Sequence, residues 1–163
     1  MVDKTSVGDI VEIAFSMGGT GDVGEARSLL AAAGLPDEDV ALHIQNFLLA
    51  RRGKRLVGSV GLEILGFTAL LRSLCVEPEL RGLGIAGVLC DRISASARAQ
   101  GVSRLYLLTT TAKSFFEHRG FVVVERDGVP AEVRATTQFQ SCCPSTATCM
   151  TKHLLDAPSE SRE

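Results

Sequence analysis

The sequence predicts an α/β (α+β) fold with a mixed central sheet flanked by helices. In the first half, apolar strands are separated by turns too short for crossover connections, which predicts antiparallel pairing. In the second half, strands alternate with helices, which predicts a parallel pair joined by a right-handed crossover. At 163 residues the chain has the size of one domain. We expect this domain to span residues 8–155, followed by a disordered tail over 156–163.

The first half predicts a strand, a helix and a three-stranded meander. Val11, Ile13 and Phe15 alternate along the first strand, and Asp22 followed by Glu25 resembles a capping box before a helix over 26–33. Gly53 and Lys54 have the length of a two-residue hairpin turn. The meander strands are predicted at 46–52, 55–65 and 68–76.

The second half predicts a long helix and then shorter elements. Apolar residues at 85, 88, 89 and 93 have helical spacing within a helix expected over 82–100. The elements expected after it are a strand at 103–110, a helix at 112–119, a strand at 121–125, a helix at 130–138 and a strand at 149–154.

Composition excludes several classes of partner and site. A net charge of −2 argues against a surface that binds duplex nucleic acid. No apolar run approaches the ~20 residues of a membrane-spanning helix, so we expect a cytoplasmic protein without a membrane partner. Five cysteines is an odd number, which excludes a fully paired disulfide framework.

The most informative segment runs from Val76 to Gly87 and combines a strand end, a glycine-rich turn and a helix start. Backbone N–H groups and the positive end of a helix form an anion site there, to which Arg81 adds a permanent charge. The alternative is a glycine-rich turn that merely begins a buried helix. The spacing also matches a dinucleotide fingerprint, but no acidic residue lies at 105–111, where that fold needs one. We therefore reject the dinucleotide interpretation of this turn.

Two motifs in this order resemble those of the GNAT N-acetyltransferases. Arg81-x-x-Gly84-x-Ala86 is similar to the Arg/Gln-x-x-Gly-x-Gly/Ala signature of that family. The segment from Ala112 to Phe121 resembles its second motif, Ala-x-x-Phe-Tyr-x-x-x-Gly-Phe. The resemblance covers nearly the whole chain and implies the GNAT fold, in which the strands at 68–76 and 103–110 form a splayed parallel pair.

A narrower resemblance concerns four segments. They are similar to N-acetyltransferases associated with arsenic-resistance operons, and these in turn resemble the acetyltransferase domain of amino-acid (glutamate) N-acetyltransferases. The segments are Gly61-Leu-Glu63, Leu71-Arg-Ser-Leu, Leu108-Thr-Thr and 138–150.

The family resemblance implies acetyl-CoA as cosubstrate, a small-molecule amine as acceptor and a homodimer. Main-chain groups of the strand end would pair with the pantetheine, and the turn would hold the pyrophosphate on its N–H groups. The residues implied for the cofactor are Leu74, Cys75 and Val76 on the strand and Arg81, Gly82, Leu83, Gly84, Ile85 and Ala86 in the turn.

The candidate general base is Glu63, acting directly or through water. Its strand face carries small residues, which would leave room for a substrate; the alternative is a solvated carboxylate without a role. The tyrosine of the family's second motif is replaced by Phe116, which has no proton to give. Ser114 or water would then protonate the coenzyme A thiolate, and Tyr106 is expected to pack in the core.

Arg72 and Arg119 are candidates for a substrate carboxylate, because guanidinium binds carboxylates through two parallel hydrogen bonds. The alternative for each is a surface ion pair. Cys142, Cys143 and Cys149 could bind a soft metal or metalloid such as trivalent arsenic, although no structural metal is expected. Cys75 and Cys90 are expected to pack as small apolar residues.

These residues predict an enzyme that transfers acetyl from acetyl-CoA to a small amine. An amino acid, or an analogue containing arsenic or phosphorus, fits the narrower resemblance. The alternative is a non-catalytic module that binds coenzyme A or senses arsenic, and Phe116 keeps that alternative open. An acceptor amine on a protein has no docking segment or acidic groove in the sequence to support it.

Overall fold

The computed structural model describes residues 12–142 and 146–154. Val11 of the predicted first strand lies outside these residues. The whole of the predicted tail and Cys143 also lie outside them. The described residues form two compact units, one of residues 12–62 and 73–93 and the other of residues 63–72, 94–142 and 146–154. Two strands, at residues 55–65 and 68–76, and the helix at residues 85–99 are each divided between the two units.

A seven-stranded mixed sheet confirms the predicted fold class. Its strand order is β1-β2-β3-β4-β5-β7-β6. The strands are β1 (Ile13–Met17), β2 (Phe47–Arg52), β3 (Arg55–Leu65), β4 (Thr68–Val76), β5 (Arg104–Thr109), β6 (Val122–Val123) and β7 (Thr148–His153).

Five α-helices accompany the strands in the described part of the chain. They are α1 (Val23–Ala32), α2 (Val40–His43), α3 (Ile85–Ala99), α4 (Lys113–Glu117) and α5 (Ala131–Arg134). Short 3-10 turns occur at Thr20–Asp22, Ile44–Asn46, Pro78–Leu80 and Arg126–Gly128. None of the described helices combines the length and apolarity that a membrane crossing requires.

The first unit is built on the predicted hairpin of β2 and β3. Arg52 pairs with Arg55, which leaves Gly53 and Lys54 as the two-residue turn, and Gly53 has a positive φ of 63°. The bounds of β3 and β4 are those predicted from the sequence. The buried core of this unit consists of Ala26, Leu30, Val40, Ile44, Phe47, Leu49, Leu56 and Cys75.

Helix α1 begins at Val23, three residues before the predicted start. The capping box expected of Asp22 and Glu25 is wrong, because the Asp22 carboxylate accepts the N–H of Gly19 at 2.9 Å. The N–H of Asp22 donates in turn to the carbonyl of Gly19 at 2.9 Å, and the 3-10 turn at Thr20–Asp22 leads directly into the helix. The Asp22 carboxylate also accepts a hydrogen bond from Nη2 of Arg51 at 2.7 Å, and this ion pair connects the turn to β2.

The second unit contains the parallel pair. Thr68, Ala69 and Leu70 of β4 pair in parallel with 104–106 of β5, and the ladder ends at Leu70. β7 pairs antiparallel with β5 over its whole length and with β6 on its other side. A second buried cluster consists of Leu70, Tyr106, Val129, Val133 and Cys149, so the prediction that Tyr106 packs in the core is confirmed.

Two elements of the second unit are shorter than predicted. The strand expected over 121–125 contains only Val122 and Val123, because a 3-10 turn begins at Arg126. The helix expected over 130–138 ends at Arg134. The hydroxyl of Thr136 donates to the carbonyl of Val133 at 2.8 Å, a side-chain bond that competes with helix continuation.

A substitution at Gly61 of β3 tests the packing in the buried core of the first unit. A Cβ at this position would lie 2.5 Å from the ring of Phe47, which is fully buried. We expect Gly61→Ala to lower the free energy of unfolding by about 2 kcal/mol through overpacking, measured by urea denaturation. Gly24→Ala in α1 is the control, because its Cβ meets nothing within 4 Å and alanine favours a helix. Equal stability of Gly61→Ala and the unaltered protein would contradict this packing.

Candidate functional site

The candidate cofactor turn connects β4 to α3. A 3-10 turn at Pro78–Leu80 follows Val76, and α3 begins at Ile85 rather than at the predicted residue 82. Gly82 and Gly84 have φ angles of 84° and 92°, which a right-handed helix cannot contain. A Cβ at either glycine would meet nothing within 4 Å, so the requirement for glycine is conformational.

The first hydrogen bond of α3 shows how the turn presents its donors. The N–H of Val88 donates to the carbonyl of Gly84 at 3.1 Å. The backbone N–H groups that precede Val88 in the first helical turn have no acceptor within the helix itself. Those donors and the positive helix end suit a bound anion, and the open space beside both glycines leaves room for one.

The Arg81 side chain is hydrogen-bonded to the last residue of β4. Its Nε donates to the carbonyl oxygen of Val76 at 3.0 Å, and the residue is otherwise exposed. The resemblance implied a pantetheine contact for the main chain of Val76; in this structure its carbonyl accepts from Arg81. The guanidinium is thereby held at the end of β4, beside the glycine turn.

A cleft of about 550 Å³ opens within the first unit. Helix α1 lines one side with Gly24, Ser28 and Ala32, and the end of β4 lines the other with Cys75 and Val76.

Ion pairs engage several charges of this cleft. Nη2 of Arg55 pairs with the Glu77 carboxylate at 2.6 Å, and Nη2 of Arg51 pairs with Glu25 at 3.0 Å. The hydrogen bond to Glu25, followed by its charge and by Asp22, raises the pKa of Arg51 above its ordinary value. Arg81 and Glu79 also line the cleft.

A backbone feature that sequence reasoning missed interrupts β4. Ser73 has a φ of 61°, and it is the one non-glycine residue with positive φ in the described part of the chain. Its carbonyl accepts the hydroxyl of Ser59, a fully buried residue of β3, at 2.8 Å. The available signal was a serine in each of two apolar strands, because a buried hydroxyl needs a partner.

Glu63 and Arg72 form a buried ion pair in the second unit. Nη1 of Arg72 donates to Oε2 of Glu63 at 2.8 Å, and the side chains are only 1% and 8% exposed respectively. The alternatives of a solvated Glu63 and a surface-paired Arg72 are therefore wrong. The sequence proposed separate roles for the two residues and did not predict the pair.

The small residues of β3 do not line an empty substrate space. The hydroxyl of Ser59 is directed to the carbonyl of Ser73, and the ring of Phe47 occupies the space beside Gly61. The expectation that this face leaves room for a substrate is wrong for these two positions, because the fold itself uses the space.

The remaining catalytic and substrate candidates lie in α4 and just after its end. Ser114 is exposed, and its carbonyl contacts Nδ1 of His118 at 2.7 Å. Phe116 is buried and packs edge-to-face on Phe115 and Phe121, with ring centroids 5.1 and 5.4 Å apart. The guanidinium of Arg119 lies 5.4 Å from the ring centroid of Phe115, and the residue is half-buried.

Cys75, Cys90 and Cys149 are buried thiols. Cys75 and Cys90 pack in the interior as predicted. Burial raises the pKa of Cys75, and it raises the pKa of Cys149 to about 11, with Arg126 opposing the shift in the latter. Cys149 is therefore a neutral thiol in an apolar cluster, which is unfavourable for a metalloid ligand.

The fold and the turn together define a class of protein. Residues 43–123 match the acetyltransferase (GNAT) domain family. The chain belongs to the GNAT family of acetyltransferases.

Curated relatives are amino-acid acetyltransferases. The enzyme from Enterobacter sp. (strain 638) is 28% identical over 105 residues, which is 63% of this chain and 24% of that protein. The enzyme from Pseudomonas fluorescens (strain SBW25) is 39% identical over 70 residues, which is 43% of this chain and 16% of that protein. The matched region thus spans about a quarter or less of each relative.

Solved structures share the fold. N-acetylglutamate synthase from Neisseria gonorrhoeae, complexed with coenzyme A and N-acetyl-glutamate, superposes with a TM-score of 0.76 at 22% identity over 87% of this chain and 35% of that chain. A Mycobacterium tuberculosis protein in complex with CoA gives 0.75 at 23% identity over 87% and 99% of the two chains.

The raised pKa of Cys149 predicts low reactivity. With the pKa near 11 instead of 9.0, the thiolate fraction at pH 8 falls about 100-fold. We expect iodoacetamide to label Cys149 at least that much more slowly in the folded protein than in urea, measured by peptide mass spectrometry. Equal rates in the two states would contradict the buried position of this thiol.

Proposed function

We propose that the protein transfers the acetyl group of acetyl-CoA to the amine of a small molecule, either an amino acid or an analogue that contains arsenic or phosphorus. The observation that carries this proposal is the glycine turn at the start of α3, with Arg81 held beside it, in a chain of the GNAT family. The amino-acid acetyltransferase relatives support an amino acid as acceptor.

Acetyl-CoA would bind through its pyrophosphate to the turn. We assign the N–H groups of residues 81–86, and the positive end of α3, to this contact. The main chain of residues 74–76 would pair with the pantetheine. The bound cosubstrate supplies an activated thioester, whose thiolate leaves when the amine attacks.

Glu63 would act as the general base. As a carboxylate it takes one proton from the acceptor ammonium through a water molecule, because its side chain is nearly inaccessible. The neutral amine then attacks the acetyl carbonyl carbon, a C–N bond forms, the C–S bond breaks, and the nitrogen loses its remaining extra proton to water. Arg72 would be a positioning residue that holds this carboxylate in one orientation.

Arg119 would bind the acceptor carboxylate. Arg72 was the other candidate, but its guanidinium is 1% exposed and engaged by Glu63. Arg119 is half-buried, and Phe115 supports its guanidinium from one side. An arsenic- or phosphorus-containing amino acid has an oxyanion of similar chemistry, so the same residue would accept both classes.

The thiolate would be protonated by water or by Ser114, which is exposed on α4. Phe116 occupies the family's tyrosine position and is packed between two other rings. This observation also favours the second candidate function, a module that binds coenzyme A without turnover.

Release of coenzyme A distinguishes the two functions. The purified protein would be incubated with acetyl-CoA and, separately, amino acids, polyamines and arsenic-containing amino acids, with free thiol measured by a chromogenic disulfide. We expect coenzyme A to be released only when the mixture contains amino acids of one class. Binding of coenzyme A without release on any acceptor would favour the non-catalytic module.

Glu63→Gln tests the base. The amide cannot take a proton, so we expect turnover to fall mainly below the pKa of the acceptor amine and to recover as pH rises. The change leaves Arg72 buried without its anion, at a cost of about 3 kcal/mol, so rates are compared at a temperature where circular dichroism shows both proteins folded. Glu117→Gln, at an exposed carboxylate of α4, is the control. An unchanged pH–rate profile would remove Glu63 from the mechanism.

A further inference from the structure

Ser59 is a fully buried polar residue to which the mechanism above gives no role. It lies in the middle of β3, opposite Leu49 of β2. Its hydroxyl donates to the carbonyl of Ser73 on β4 at 2.8 Å. A buried hydroxyl normally has a hydrogen-bond partner, and Ser59 finds one across the two strands.

The residue that accepts this bond has an unusual conformation. Strand residues have φ near −120°, whereas Ser73 has a φ of 61°, a region that L-residues other than glycine rarely adopt. Such a conformation persists only where surrounding contacts hold it. The backbone at Ser73 therefore departs from the regular strand pattern.

Two hydrogen bonds to β3 hold the chain on either side of residues 74–76. Ser59 holds the carbonyl of Ser73, and the carbonyl of Val57 accepts the N–H of Glu77 at 2.9 Å. Between these two points lie residues 74–76, the cofactor segment of the proposed function. The strands are tightly packed here, because a Cβ on Gly58 would lie 3.2 Å from the carbonyl of Cys75.

We propose that Ser59 is a positioning residue for acetyl-CoA. Its hydroxyl keeps Ser73 in the left-handed conformation, and this conformation sets the direction in which residues 74–76 present their main-chain groups to the pantetheine. The inference rests on the proposed function, because it assumes that this segment binds the cosubstrate.

Binding of coenzyme A, measured by isothermal titration calorimetry, tests the inference without turnover. Ser59→Ala removes only the hydroxyl, and we expect it to weaken binding about tenfold, since part of the population then leaves the competent conformation. Ser59→Cys keeps the size with a weaker donor and is expected to have a smaller effect in the same direction.

The double variant separates positioning from general destabilisation. Glycine adopts a positive φ without strain, so Ser73→Gly alone is expected to bind within about twofold of the unaltered protein. In Ser59→Ala/Ser73→Gly we expect most of the lost affinity to return. Thr151→Val is the matched control, because Thr151 is also buried and its hydroxyl donates to the carbonyl of Leu105 at 2.8 Å. It is expected to lower the melting temperature without changing affinity.

The outcomes are distinct. Unchanged affinity in Ser59→Ala, or a double variant that binds as weakly as Ser59→Ala, would overturn the positioning role. Loss of affinity in Thr151→Val equal to that in Ser59→Ala would show that destabilisation alone explains the effect, and would overturn it as well. If the unaltered protein did not bind coenzyme A, the proposed function would fail, and this inference with it.

Discussion

The left-handed conformation of Ser73 is the constraint on which the path of β4 into the glycine turn depends. Past this residue the chain must be held by side-chain as well as main-chain bonds, and the buried hydroxyl of Ser59 supplies the first of them. Residues 74–76 then run to Val76, whose carbonyl accepts Nε of Arg81. That bond brings the chain back to the turn where Gly82 and Gly84, again with positive φ, begin α3. Each step restricts the next, so a strained residue in a strand contributes to the shape of a turn eight to eleven residues later.

The ion pair of Glu63 and Arg72 is a different kind of constraint. Two charges are withdrawn from water almost completely, and their attraction only roughly offsets that penalty. An apolar pair of similar volume would stabilise the sheet at least as well, so stability alone does not account for these residues. In the proposed mechanism, the pair would hold the carboxylate of Glu63 in one orientation.

Sequence reasoning recovered what local patterns determine. The bounds of β3 and β4, the hairpin turn and the glycine turn before α3 follow from alternation and from residues with special backbone preferences. It failed where the outcome depends on a residue distant in the chain. Gly61 was interpreted as room for a substrate, but Phe47 fills that space. Glu63 and Arg72 are nine positions apart on the neighbouring strands β3 and β4, and no local pattern specifies that these two side chains pair. The positive φ of Ser73 is not indicated by its residue type, because serine is not a residue that turns demand, and the two serines in apolar strands indicate only a buried hydrogen bond.

The buried position of Phe116 bears on how much acid catalysis the reaction needs. Its ring is packed edge-to-face between Phe115 and Phe121, so it contributes to the core of the second unit and offers no proton. A thiol with a pKa near ~8.5 is already a good leaving group as the thiolate at neutral pH. Proton removal from the acceptor ammonium has no such advantage, because an ammonium cannot attack the thioester until it is deprotonated. For the proposed reaction, the chemical demand would therefore fall on removal of the proton from the ammonium, the step proposed for Glu63. Protonation of the thiolate by water or by the exposed Ser114 would then be sufficient.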